Sequence, residues 1–218
     1  MAGAFEGSGL MGNGEMDSER RELITLAMQL TQRRGEEASV AHLAAQPGVT
    51  RAMVARHFAD DSELFDAVVE AWYAPDIAIM EETVASDLPV ERKLYEFFAR
   101  RFVRERARYR EDPALFALYC ELGSARFEQV RGYIDLADHY LSELIAQAQA
   151  EGYFSGLTIS RALTLINQMV ICYTSPQLLL MLEERLTESK LAAIIDTLFA
   201  GLEGGDSKAA GVTGLRLA

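Results

Sequence analysis

The sequence has few of the residues that cross-links and metal sites require. Its only two cysteines, Cys120 and Cys172, lie within apolar segments, so we interpret them as buried thiols and not as a disulfide framework. The three histidines and two cysteines show no spacing typical of metal ligands. The sequence therefore predicts no structural metal, and nothing in it indicates a cofactor.

Long apolar runs are also missing. No uninterrupted run approaches the roughly 20 residues that a membrane-spanning helix requires. Residues 1–14 are rich in glycine and contain neither a basic segment nor an apolar stretch of the kind found in signal peptides. We therefore expect a cytoplasmic protein with no membrane partner.

Proline is scarce, with five in 218 residues, and the apolar residues recur at helical spacing. No segment alternates like a strand, so the predicted fold class is all-α, with about nine helices. A three-helix N-terminal helix-turn-helix domain is expected at residues 17–73 and a helical bundle at 74–203, between a flexible leader (1–16) and a flexible tail (204–218). The predicted helices include Asp17–Arg34, Asp60–Tyr73 and Asp76–Ser86, with a break before Pro75.

Charge is unevenly distributed along the chain. The net charge is −12, which argues against a general nucleic-acid coat. Residues 17–58, however, hold six arginines and five acids, a local excess of one positive charge. This distribution is typical of a protein that contacts DNA through one small surface.

Two short helices follow the first helix and are joined by a turn at Pro47-Gly48. Ser39 and Thr50 are good N-cap residues for them. Apolar residues at Leu43, Val54 and their neighbours would pack the pair together. This layout is that of a helix-turn-helix, whose second helix is of a length suited to the major groove.

Residues 23–64, LITLAMQLTQRRGEEASVAHLAAQPGVTRAMVARHFADDSEL, resemble the N-terminal signature of TetR-type transcriptional repressors. The resemblance covers about a fifth of the chain and implies an operator-binding homodimer that releases DNA when a small molecule binds. It also implies that Ser39 and Thr50 bond phosphates, and that Arg51 and Ala52 face base edges. Met53, Arg56 and His57 would then face DNA or its backbone, and packing of His57 beside Phe58 is the other reading. Arginine near a helix N-terminus suits guanine or phosphate on physical grounds as well.

Two positions depart from the family pattern. Ala55 replaces the usual tyrosine, and Asp61 replaces the usual lysine at the start of the fourth helix. Both usual residues hold the phosphate backbone, so each lost contact lowers the salt dependence of binding. The departures leave open whether DNA binding is weakened or lost.

The second half of the chain is rich in aromatic residues on apolar helices. Most of them form core, but their polar tips also suit an apolar or aromatic ligand. The predicted pocket residues are Trp72, Phe98, Phe102, Phe116, Tyr119, Tyr133, Tyr140, Met169 and Tyr173. The segment around Met169 is apolar nearly all round and, with the last helix, predicts a two-fold dimer interface.

Arg100–Arg110 contains six arginines. They form either a second nucleic-acid patch or, as we prefer, a solvated face near a helix C-terminus. No nucleophile–base pair or phosphate loop is visible, so an enzyme is not expected. The predicted function is a TetR-like repressor; the alternative is a helical dimer that binds a ligand or protein and no longer reads DNA.

Overall fold

The computed structural model describes the backbone of residues 9–202 and the side chains of residues 16–201. Within that range the chain is all-α and contains no strand, as predicted. It divides between Ala74 and Pro75 into two compact units. The predicted tail at 204–218 and residues 1–8 of the predicted leader lie outside the described residues.

Four helices include residues of the first unit: α1 (Gly9–Arg34), α2 (Val40–Ala44), α3 (Arg51–His57) and α4 (Asp61–Ala85). The predicted start of the first helix at Asp17 is wrong, because α1 begins at Gly9. Once a helix is nucleated, each added residue gains a hydrogen bond, so the extension costs little despite its glycines.

Helix α4 continues through Pro75, and the predicted break there is wrong. A proline inside a helix removes one hydrogen bond and costs about 3 kcal/mol. The second half of α4 carries Asp76, Met80 and Thr83, all of which are buried. Burial of this face offsets the cost of the proline.

The second unit continues with α5 (Val90–Glu111), α6 (Pro113–Ala125), α7 (Phe127–Ala150), α8 (Ile159–Thr174), α9 (Pro176–Leu182), a 3-10 turn (Glu183–Arg185) and α10 (Glu188–Leu202). Helix α5 is central, since α6, α7, α8, α9 and α10 all pack on it. Its buried side chains include Leu94, Phe97, Phe98 and Phe102.

None of the described helices alone combines the length and apolar composition needed to cross a membrane. Two consecutive segments, Ile159–Thr174 and Pro176–Arg185, have that length and composition only when they are taken together, and a bend of 54° separates them.

Candidate DNA-binding and ligand-binding sites

The helix-turn-helix of the first unit is fixed by local caps and one turn. Ser39 Oγ accepts a hydrogen bond from the backbone N–H of His42 at 3.1 Å, and Thr50 Oγ1 accepts one from Met53 N–H at 3.1 Å. Gly48 between the helices has φ +81°, a left-handed conformation that glycine adopts without strain. The two N-caps therefore set where α2 and α3 begin, as the sequence predicts.

A small apolar core holds α3 from beneath. Leu30, Leu43, Val54, Phe58 and Leu64 are all buried, each with 5% or less of its surface exposed. Burial of such side chains contributes roughly 1.5–3 kcal/mol each. The core fixes which face of α3 is turned outward.

That outward face carries most of the residues predicted to bind DNA. Thr50, Arg51, Ala52 and Arg56 are exposed, and Met53 is half-buried. The Arg56 guanidinium lies 3.5 Å from the Glu19 carboxylate, but half of its side chain stays exposed. The face presents two guanidinium groups from a single short helix.

His57 does not belong to that face. Its side chain is only 4% exposed, and Nε2 lies 2.8 Å from a carboxylate oxygen of Glu19. Its ring centroid is 6.3 Å from that of Phe58. The reading of His57 as a packed residue beside Phe58 fits this geometry, whereas contact with DNA does not.

The acids at the start of α4 all cap backbone amides. Asp61 Oδ1 accepts a hydrogen bond from Val40 N–H at 2.7 Å, and Glu63 Oε2 accepts one from Ala59 N–H at 2.7 Å. Asp60 Oδ1 accepts one from Glu63 N–H at 3.0 Å. Asp60 thus caps α4, Glu63 reaches back to the amide one residue before this cap, and Asp61 places a negative charge at the start of α2.

The predicted ligand residues do not form one continuous set. Trp72 belongs to the first unit and the other eight to the second. Met169 is 44% exposed on α8, and the Tyr140 hydroxyl donates to Glu81 at 2.9 Å, so neither is part of the buried core of its unit. Their assignment to the ligand pocket stays a prediction.

Several of the remaining aromatics pack edge to face within the second unit. The ring centroids of Phe102 and Tyr173 are 5.0 Å apart, and those of Phe116 and Tyr109 are 5.8 Å apart. Phe98 meets Phe97 at 5.1 Å. Such pairs are typical of an apolar core. Tyr119 and Tyr133 are half-buried on α6 and α7.

Sequence reasoning missed a polar cluster buried among these helices. Asp76 on α4 is 1% exposed, and its Oδ2 accepts a hydrogen bond from Arg104 Nη1 at 2.8 Å. Glu105 accepts from Arg104 at 3.1 Å and from Arg108 at 2.7 Å. Burial raises the pKa of Asp76 and of Glu105, although the nearby arginines lower both.

Arg101 joins this cluster to the aromatic core. Its Nε donates to the Phe97 carbonyl at 2.8 Å, and its Nη1 donates to the Tyr133 hydroxyl at 3.3 Å. The guanidinium carbon lies 4.2 Å from the Phe97 ring centroid, within cation–π range. Arg101 is thus buried, unlike the solvated face expected for the arginine-rich stretch. The only sequence signal for the cluster is the density of arginines.

Glu183 binds the arginines at the end of α5. It accepts from Arg106 Nε at 2.6 Å and from Arg110 Nε at 2.7 Å. These hydrogen bonds, the one from Arg106 first, lower the pKa of Glu183. Most arginines of the stretch thus neutralise acids of the same unit, which disfavours a second nucleic-acid patch.

No group of three or more potential metal ligands occurs among the residues whose side chains the structure describes. The two units present an exposed basic helix on a helix-turn-helix and a helical core with a buried charged cluster. A helix-turn-helix followed by a helical unit defines the class of one-component DNA-binding regulators.

Residues 90–195 match the family model of the tetracyclin repressor-like C-terminal domain. Residues 90–195 thus carry a C-terminal domain of the TetR type, and the fold of the chain is similar to that of solved TetR-family regulators. The resemblance drawn from residues 23–64 is confirmed. A search of the curated proteins finds no significant match.

Three solved structures illustrate the likeness of fold. The fatty acid degradation regulator FadR from Bacillus halodurans is 16% identical, with a TM-score of 0.61 over 94% of this chain and 99% of that one. A TetR/AcrR family transcriptional regulator from Thermobifida fusca is 17% identical, with a TM-score of 0.57 over 84% and 98%. The TetR family regulator PfmR from Thermus thermophilus is 18% identical, with a TM-score of 0.51 over 83% and 98%.

Proposed function

We propose that this chain is a homodimeric transcriptional repressor that binds a near-palindromic operator through α3 and is released by a small molecule. The observation that carries the proposal is the exposed face of α3, where Arg51 and Arg56 stand on a short helix whose opposite face is core. A major groove admits such a helix, and arginine bonds guanine edges bidentately.

The roles of the other residues of the helix-turn-helix follow from their positions. Thr50 and Ser39 lie at helix N-caps, where hydroxyl groups and helix dipoles favour phosphate oxygens. Arg51 and Ala52 reach base edges, and Met53 offers an apolar contact to a thymine methyl. Arg56 binds the backbone, and His57 supports α3 from the interior.

Dimerisation is proposed through α8 and α10, which pack on each other within the second unit. Met169 and Ile171 on α8 are 44% and 48% exposed, although both are large and apolar. A second copy would remove this surface from water. A two-fold pair places two copies of α3 about one DNA turn, or a multiple of it, apart.

The DNA test uses fluorescence anisotropy with duplexes from the region flanking the chain's own reading frame, at two salt concentrations. We expect the wild-type chain to bind one duplex with an affinity that falls steeply with salt. Arg51→Ala should lower that affinity by at least tenfold, because a bidentate base contact contributes about 1–3 kcal/mol.

Arg131→Ala is the matched control, since Arg131 is an exposed arginine on α7 with an ion pair to Glu128 at 3.0 Å. It should leave DNA affinity unchanged. Retention of sequence-specific binding by Arg51→Ala would contradict the role given to this arginine.

The dimer test replaces an exposed apolar residue by an acid and measures the mass in solution. Ile171→Glu should convert the dimer into a monomer, because each copy would place a charge in an apolar interface. Val103→Glu, at a 42% exposed residue on α5, is the control and should leave the dimer intact. A monomeric wild-type chain would contradict this part of the proposal.

A second candidate function is a helical ligand- or protein-binding dimer without DNA binding. The observation that favours it is Asp61, whose carboxylate occupies the first amide of α2, where a phosphate would otherwise approach. No salt-dependent binding to any flanking duplex, together with an intact dimer, would support this candidate over the repressor.

A further inference from the structure

One oxygen of the buried polar cluster has no hydrogen-bond donor. Asp76 Oδ2 is bound by Arg104, but Oδ1 of the same carboxylate is fully buried and has no partner among the described residues. A buried acceptor left without a donor costs about 1–3 kcal/mol, and more when it is charged. A bound molecule that donates a hydrogen bond to Oδ1 would recover this energy.

The charges around Asp76 restrict what that molecule can be. Three guanidinium groups, those of Arg101, Arg104 and Arg108, act on the Asp76 carboxylate, whereas Glu105 is the acid that acts on it. The cluster thus carries one more positive charge than negative. A cationic donor would be repelled by this excess, although it would satisfy Oδ1.

Part of the cluster lies at the surface of the second unit. The side chains of Arg104, Glu105 and Arg108 keep 22%, 17% and 21% of their surface exposed. Arg101 links the cluster to the apolar rings of Phe97 and Phe98. A ligand bound beside these side chains would meet a polar anchor within a core of aromatic and apolar side chains.

We propose that the effector of this chain is an uncharged molecule with an apolar body that donates one N–H or O–H hydrogen bond to Asp76 Oδ1. The inference rests on the ligand-binding part of the proposed function and names the chemical class of that ligand. It refines the sequence-based expectation of an apolar or aromatic effector by adding one obligatory donor.

Three flat probes of nearly identical shape separate donor recognition from apolar binding. Indole carries one N–H donor and no acceptor, benzofuran carries an oxygen acceptor and no donor, and indene carries neither. Binding of each to the full chain is measured by titration with protein-observed NMR. We expect indole to bind about tenfold more tightly than the other two, as a hydrogen bond to a charged acceptor predicts.

Asp76→Asn reverses the preference without removing the side chain. Arg104 requires an acceptor at the position of Oδ2, so the amide oxygen takes that place and the amide N–H2 takes the place of Oδ1. The variant should therefore prefer benzofuran over indole. Glu82→Gln is the matched control, because Glu82 forms an exposed ion pair with Arg100 at 2.7 Å, and it should keep the wild-type preference.

Charged probes test whether the site prefers an uncharged ligand. Tryptamine adds an ammonium group to the same ring and should bind more weakly than indole, because the excess positive charge repels it. Indole-3-acetate adds a carboxylate that cannot donate to Oδ1 and loses its hydration on burial, a cost that one excess positive charge does not offset, so it should bind more weakly as well. Equal binding of indole and indene by the wild-type chain would mean that Oδ1 is satisfied by water, and it would overturn the proposal. Tighter binding of either charged probe, or no binding of any probe, would overturn it too.

The probe titrations can succeed or fail independently of the DNA-binding experiment. A chain that prefers indole and loses the preference in Asp76→Asn supports the ligand class even if no flanking duplex binds. A chain that binds an operator but does not distinguish the probes keeps the repressor function and rejects the ligand class.

Discussion

The carboxylate of Asp61 accepts a hydrogen bond from the backbone amide of Val40 at 2.7 Å, although 21 positions separate the two residues. The contact joins the start of α4 to the start of α2. It stabilises the helix-turn-helix, and it also fixes a negative charge beside the residues proposed to bind phosphate. Stability and DNA affinity therefore make opposing demands on this side chain.

Asp61→Asn should strengthen DNA binding. The amide oxygen can still accept the hydrogen bond from Val40, so the fold is kept, while one repulsive charge per protomer is removed. We expect affinity to rise by a few fold at low salt, consistent with roughly 1 kcal/mol for a screened pair of charges. The gain should shrink at high salt, as measured by fluorescence anisotropy.

Glu70→Gln removes an exposed acid farther along α4 and is the control for this change. It should raise affinity much less than Asp61→Asn. Equal effects of the two substitutions would mean that only net charge matters and that the position of Asp61 does not.

Lys93→Met should destabilise the second unit. Lys93 is buried, and its Nζ donates to the carbonyl of Val84 at 3.1 Å and to Gln147 Oε1 at 2.9 Å. Methionine keeps the apolar stem but leaves both oxygens without this donor. We expect a loss of about 1–3 kcal/mol in the free energy of unfolding, measured with urea.

Lys190→Met is the matched control for Lys93→Met. Lys190 Nζ also donates a hydrogen bond to a backbone carbonyl, that of Arg185, at 2.7 Å. Lys190 is exposed, so water can replace the lost hydrogen bond. If Lys190→Met lowered the free energy of unfolding as much as Lys93→Met does, burial would not explain the cost of losing the lysine donor.

Glu183→Gln should lower stability at neutral pH and lose its effect in acid. The hydrogen bonds from Arg106 and Arg110 lower the pKa of Glu183 in the folded chain below its ordinary 4.5. Its contribution is therefore present above pH 4.5 and disappears as the pH falls through the folded-state pKa. Urea midpoints of the two chains should differ at pH 7 and converge at lower pH.

The expected difference at pH 7 is about 1 kcal/mol or less, since ion pairs near the surface are weak. Glu82→Gln, at an exposed pair, should show a smaller difference at every pH. If the difference in urea midpoint between the wild-type chain and Glu183→Gln widened in acid, it would contradict the lowered pKa of Glu183.

Cys120 should react slowly with maleimide. Burial raises the pKa of this thiol to about 11, so at pH 8 only about one molecule in a thousand carries the reactive thiolate. In a Cys172→Ser chain, labelling at pH 8 should be far slower than for a cysteine peptide, and unfolding in urea should restore the peptide rate. Equal rates in the folded and unfolded chains would contradict the raised pKa of this half-buried thiol.

Local signals in the sequence were sufficient for the helix-turn-helix. The caps at Ser39 and Thr50 and the turn at Gly48 act within a few residues, so their chemistry predicts the ends of the helices directly. The Thr187 cap works in the same way, since its Oγ1 accepts from Lys190 N–H at 3.3 Å. Helix α9 was missed, although Ser175 followed by Pro176 is a standard start signal.

Features that depend on distant partners were not predictable. The helix break expected at Pro75 follows from local propensity alone, and the burial of Asp76, Met80 and Thr83 overrides it. The arginines of α5 looked like a solvated face because Glu183, which binds two of them, is more than 70 positions away. The orphaned oxygen of Asp76 is likewise a property of packing and not of sequence.

The ion pair between Glu183 and Arg110 closes a loop of 73 residues that contains α6, α7, α8 and α9. The entropy of closing a loop grows only with the logarithm of its length, so a doubling costs about 0.6 kcal/mol. Connections inside this loop, such as residues 151–158, therefore have room to lengthen at small thermodynamic expense. Evolution or design can therefore lengthen these connections while α6–α9 stay packed on α5 and Glu183 still binds Arg110.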